Sequence, residues 1–177
     1  MPFARPRKLY TEDELYQYAI CALGRRMRSV AELKRLLRLR VEADTEVGQT
    51  LVELIIRKLK DQGYLNDAKY AAAYSSYRKT NEKFGRRRVI TDLKVKGVHG
   101  EVIEKAVDTV YEDVSEEKLA RDYLRRKRIA KPTDQKQTAR IFRQLIRAGF
   151  GSKTIFTILK KCDVDEETLS VLDTELE

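Results

Sequence analysis

The 177-residue chain has no tryptophan, one histidine, two cysteines and three prolines. Each shortage removes a class of protein. Cys21 and Cys162 form no CxxC pair and His99 is the only imidazole, so zinc-ligand spacing is missing and no metal site is expected. Two unpaired thiols fit a reducing, cytoplasmic setting. No apolar run approaches the roughly 20 residues that cross a bilayer. The basic stretch 1–8 leads into no apolar segment of the signal-peptide kind, so neither secretion nor a membrane partner is expected. Catalytic motifs are missing too: there is no phosphate-binding glycine loop, no HExxH and no nucleophile elbow. Carboxylates mostly alternate with cations and form no separate constellation, so the reading is a non-enzymatic protein without cofactors.

What the chain has is charge. Charged residues make up 37% of it and the formal net charge is +9. That figure hides an asymmetry, because residues 163–177 contain seven acids and no Lys or Arg, leaving +16 on the preceding 162 residues. Such a body attracts nucleic acid or an acidic protein surface, although a solvated helical surface shares part of this composition.

Helix signals recur along the chain. After a basic arm over residues 1–10, Thr11 and Glu14 fit a capping box, and Leu15, Tyr18, Ala19 and Ala22 share one helical face. Ser29 and Glu32 fit a second capping box before Leu33, Leu36 and Leu37. Leu51, Leu54, Ile55 and Leu59 form the expected stripe of a third helix, which Gly63 ends, with Tyr64 folding back on the last turn. Asn66 or Asp67 caps the next helix, whose face is Tyr70, Ala71, Tyr74 and either Tyr77 or Arg78. A helix over 86–96 stops at Gly97, and Gly100 is placed to cap the one after. Ser115 opens a third cycle, Asp134 with Gln137 caps its second helix, and Gly149 stops it.

The cycles match residue by residue. Tyr70, Ala71 and Tyr74 lie over Leu119, Ala120 and Tyr123 at a shift of 49; three extra residues near Pro132 make the later shift 52, which sets Gly97 on Gly149. With no alternating strand pattern, the fold class is all-α: three tandem three-helix, helix-turn-helix-like repeats forming an elongated, curved array. The boundaries are an arm at 1–10, repeats at 11–65, 66–113 and 114–162, and an acidic tail at 163–177, either a frayed end or a short helix. The first two repeats share a short, short, longer rhythm.

The second helices carry a shared cationic bias. On a helical wheel Val89, Ile90 and Leu93 form the core arc; Arg87 and Lys94 line its flank and Arg88 points away. Arg140, Arg143 and Arg147 form a stripe opposite Ile141 and Leu145, and Lys34 and Arg38 do the same in the first repeat. A further cluster, Arg125, Arg126 and Arg128 with Lys127, ends a first helix, where cations also complement the negative helix end. With Arg78 added and Lys127 left aside, these make twelve Lys and Arg side chains that are the candidate contacts to phosphates or carboxylates. Each is also explicable as a solvated helix face. The tyrosines, at helical spacing with alanines, are expected to pack rather than stack on bases.

In order and spacing, Ser29-x-x-Glu32-Leu33, the run 59–67 with Tyr70, Ala71 and Tyr74, and Gly85, Arg87, Ile90 and Leu93 with Lys96-Gly97-Val98 resemble the RecX family over about residues 11–162. The resemblance implies a cytoplasmic, monomeric regulator, mainly an inhibitor, of the RecA recombinase. Such a protein lodges in the groove of the RecA–DNA filament and limits filament extension, strand exchange and coprotease activity in DNA repair, recombination and the SOS response. Contact with single- or double-stranded DNA would be weak and salt-sensitive. Two departures stand out: Gln137 lies where the second repeat has Gly85, and the acidic tail maps onto nothing in the family. The competing reading is a tandem helix-turn-helix protein that binds DNA directly as a transcriptional or architectural factor.

Overall fold

The computed structural model describes residues 8, 11–42 and 45–162. Among them lie nine α-helices and no strand: α1 Glu12–Arg25, α2 Val30–Arg38, α3 Glu46–Asp61, α4 Asp67–Tyr77, α5 Arg86–Val95, α6 Gly100–Tyr111, α7 Glu116–Arg126, α8 Gln135–Arg147 and α9 Ser152–Lys160. The fold is all-helical. The acidic tail and all of the N-terminal arm except Lys8 lie outside the described residues.

Helix starts follow the local sequence signals. Thr11, Ser29, Asn66, Ser115 and Asp134 each accept a hydrogen bond from an otherwise unpaired N–H of the first turn. At Ser29 the reciprocal bond from its own N–H to the Glu32 carboxylate completes a capping box. Gly63, Gly97 and Gly149 end α3, α5 and α8 in left-handed conformations, with φ of 76°, 74° and 92°. Arg128 takes the same conformation after α7, at φ 53°, where no glycine marks the turn.

Several sequence expectations are corrected. Gly100 is the first residue of α6 rather than its cap; the carbonyl of His99 accepts the first helical bond, from Ile103. Tyr64 is exposed, and Leu65 instead returns to the end of α3, its N–H bonded to Leu59 O. Helix α3 buries Val52, Ile55, Ile56 and Leu59, leaving Leu54 44% exposed, because its apolar residues cover more than one face. In the first two repeats the third helix is the longest, with 14, 9 and 16 residues in α1–α3 and 11, 10 and 12 in α4–α6, but α1 is not short; α7–α9 have 11, 13 and 9. The extra residues before α8 become its first turn, so Gln137 lies inside that helix and bonds back to Thr133 and Asp134.

The described residues pack as two compact units, those up to 71 together with 93–103, and 72–92 together with those from 104 onward. In the first, α3 packs on α1 and α2 around Leu15, Leu33, Leu37, Ile55 and Leu59, all fully buried. In the second, α9 packs on α7 and α8 around Phe142, Leu145, Phe150 and Ile155. Tyr123 meets Phe150 edge-on with ring centroids 5.9 Å apart.

One joint recurs inside each unit. Ser29, the residue before α2, donates through Oγ to Lys96 O at 2.6 Å, just before the Gly97 turn. Gly85, the residue before α5, donates its N–H to Ala148 O at 2.8 Å, just before the Gly149 turn. Both turns approach so closely that a Cβ on Gly97 would overlap the Ala31 side chain, and one on Gly149 would overlap the backbone of Arg88. Glycine is therefore required twice at each turn, for its φ and for its missing side chain.

Candidate partner-binding surface

The twelve candidate cations fall into two groups. Arg78 is the most committed. After Tyr77 the helix widens into one π-helical turn, Arg78–Glu82, closed by Lys83 in the left-handed region. The guanidinium of Arg78 donates to Tyr74 Oη and Asp92 Oδ2, each at 2.9 Å, and lies over the rings of Tyr74 and Phe84. Tyr74 also donates to Asp92, at 3.0 Å. Arg88 bonds the other oxygen of Asp92 at 3.0 Å, one turn along α5. Burial works against the charge on Arg78, yet its bonds to Tyr74 and Asp92 hold its pKa above the ordinary value; burial pushes the Tyr74 phenol up. Sequence spacing could not reveal this cluster, since Arg78 and Asp92 lie on different helices.

Other cations are also paired within the chain. Lys34 bonds Glu53, Arg125 bonds Asp122, and Arg126 bonds Glu82 at 2.9 Å. Arg143 also has an interaction within the chain. By contrast, the side chains of Arg38 and Lys94 in the first unit, and of Arg87, Arg128, Arg140 and Arg147 in the second, are exposed and unpaired among the described residues. Arg140 and Arg147 project from α8, whose opposite face buries Ile141 and Leu145. Arg87 stands at the start of α5 near Gly151. These six are free to meet an external anion without breaking an internal pair.

A second polar cluster supports the first unit. The Glu32 carboxylate accepts from Ser29 N–H, from Tyr70 Oη at 3.2 Å and from Lys96 Nζ at 3.0 Å. Partial burial alone would raise the Glu32 pKa, but the bonds from Lys96 and Ser29, with the charges of Lys96 and Arg26, hold it below the ordinary value. Tyr70 and Tyr123 are buried and Tyr74 is half-buried, so these tyrosines pack as expected, whereas Tyr77 is exposed. Among the described residues no group of three or more His, Cys, Asp or Glu is placed to hold a metal, and no helix is long and apolar enough to cross a membrane.

The geometry defines an all-helical repeat protein with exposed, uncommitted cations on its second helices. Known proteins sharpen that class. The family description "RecX, second three-helix domain" matches residues 66–107. "Regulatory protein RecX" of Myxococcus xanthus is 33% identical over 172 residues, spanning 89% of this chain and 87% of that protein. The protein of the same name from Amycolatopsis mediterranei is 32% identical, over 84% of this chain and 85% of its own. The Bacillus pumilus protein is 34% identical over 86% of this chain, and the alignment spans 57% of that longer relative. The chain belongs to the RecX family. The crystal structure of RecX from Lactobacillus salivarius shares the fold, with a TM-score of 0.64 at 23% identity, covering 86% of this chain and 96% of that one.

Proposed function

We propose that this chain regulates the RecA recombinase, mainly as an inhibitor, by binding in the groove of the RecA–DNA filament and limiting its extension, strand exchange and coprotease activity. It acts by occupancy, as a cytoplasmic monomer, with no chemistry of its own. Residues 11–65, 66–113 and 114–162 serve as three successive binding repeats; the start of the family match at residue 66 supports the second boundary. The observation that carries the reading is the set of exposed, unpaired cations, Arg38, Lys94, Arg87, Arg128, Arg140 and Arg147, in a member of this family. They supply contacts to phosphates and acidic side chains. The other six candidates contribute through the charge that remains beyond their internal pairs, and Arg78 chiefly by fixing the start of α5.

Retention on DNA tests the proposal. Weak, salt-sensitive binding to naked DNA with strong retention on RecA-coated DNA supports it. Tight, sequence-preferring binding to naked DNA, with a log–log salt slope of about −0.9 per phosphate, supports the direct helix-turn-helix reading instead.

A further inference from the structure

Helix α3 leaves an apolar strip uncovered on the first unit. Val47 is 78% exposed and Leu54 44%, and with Glu46, Thr50 and Leu51 they line one surface groove. On a helical wheel Glu46, Arg57, Thr50, Leu54, Val47 and Leu51 follow one another within an arc of about 140°, turned away from the buried Val52, Ile55 and Leu59. Glu46 and Arg57 are exposed, and neither has an ion pair among the described residues. The strip thus runs from an acid, through apolar side chains, to a base.

That order is complementary to itself when reversed. Two copies of α3 laid antiparallel about a two-fold axis between Thr50 and Leu51 set Val47 level with Leu54 of the other copy, and Leu51 beside its counterpart. The same axis puts Arg57 about 3 Å along the helix from the other copy's Glu46, an offset that the N-terminal lean of the arginine closes. Angular position agrees as well. In an antiparallel pair each flank of one helix meets the same flank of its mate, and Glu46 and Arg57 share one flank, about 20° apart, with Leu51 on the other. Each pairing therefore has two Glu46–Arg57 contacts beside an apolar centre. A parallel pair would oppose like charges instead.

We propose that this strip is a self-pairing surface, through which two free chains associate by antiparallel contact of their α3 helices. One helix face is smaller than the roughly 1,200–2,000 Å² of a stable interface, so the pairing is weak, reversible and concentration-dependent. Its charged flank stands in solvent and is weakened by salt. The pairing belongs to the free chain and does not rest on the filament reading, in which the monomer is the acting species.

Sedimentation equilibrium of the full chain at low salt, from about 10 μM to about 1 mM, tests this. The average mass should rise with concentration toward that of two chains. Leu54→Glu should hold it at one chain while leaving the thermal melt unchanged, because that side chain lies outside the core. Glu46→Arg and Arg57→Glu should each weaken association severalfold. An equimolar mixture of those two variants should restore it, since every flanking contact then joins opposite charges. A parent chain that keeps the mass of one chain throughout would overturn the proposal and leave the groove to a different protein. Association that survives Leu54→Glu, or a mixture that pairs no better than its components, would overturn it too.

Discussion

Gly85 donates its backbone N–H to the carbonyl of Ala148 at 2.8 Å, so the start of α5 is fastened to the end of α8. The neighbouring Gly149 has φ 92° and lies where a Cβ would overlap Arg88. Gly63 has a similar φ of 76° but open space around it. Gly63→Ala should therefore cost about 1 kcal/mol, the left-handed penalty alone. Gly149→Ala should cost about 2–4 kcal/mol, because overpacking is added. Urea denaturation of the two variants measures the difference, and equal losses would contradict the tight joint.

Tyr74, Arg78, Asp92 and Arg88 form one hydrogen-bonded group. Removing one member leaves the others partly unpaired. Asp92→Ala is expected to destabilise by about 2–4 kcal/mol and Tyr74→Phe by about 1 kcal/mol. A double-mutant cycle between these positions should show coupling; additive losses would mean that the phenol and the carboxylate act independently.

Glu32 gives the first unit an acid-sensitive contact. Because its folded pKa lies below the ordinary value of 4.5, its stabilisation is fully present above that pH and is lost as the pH falls through the folded value. Glu32→Gln should be less stable than the parent at pH 7 by about 1–3 kcal/mol, with the gap narrowing below pH 4.5. Thermal melts across that range read the trend, and a constant gap would be the contrary outcome.

Arg128 occupies a left-handed position that glycine adopts without strain. Arg128→Gly should raise stability by up to about 1 kcal/mol while weakening partner binding, if this exposed cation is a contact. Parallel melts and filament-binding titrations separate the two effects; loss of stability would show that the arginine stem packs usefully.

Much of the fold was legible because its signals are local. Ser29, Asn66, Ser115 and Asp134 cap helices within three residues of themselves, and Gly63, Gly97 and Gly149 mark ends by a conformation few other residues tolerate. The buried face of α3 was less legible, since Leu51, Val52, Leu54 and Ile56 all suit a core and only the packing of α1 and α2 selects among them. The site was legible as a bias but not as individual roles. Periodicity set Arg78 on one helix and Arg88 on the next, and only the tertiary structure joins the two to Asp92. Nothing local to the turn around Arg128 announces its left-handed backbone.

The central claim is that exposed cations on second helices, rather than any catalytic group, let this RecX-family chain restrain RecA. The most direct measurement is RecA ATP turnover on single-stranded DNA with substoichiometric amounts of the chain and of Arg87→Glu/Arg140→Glu/Arg147→Glu. The parent chain should suppress turnover. The triple variant, which breaks no described ion pair, should melt like the parent and lose potency by about tenfold or more. No suppression by the parent chain, or equal suppression by a correctly folded triple variant, would contradict the account.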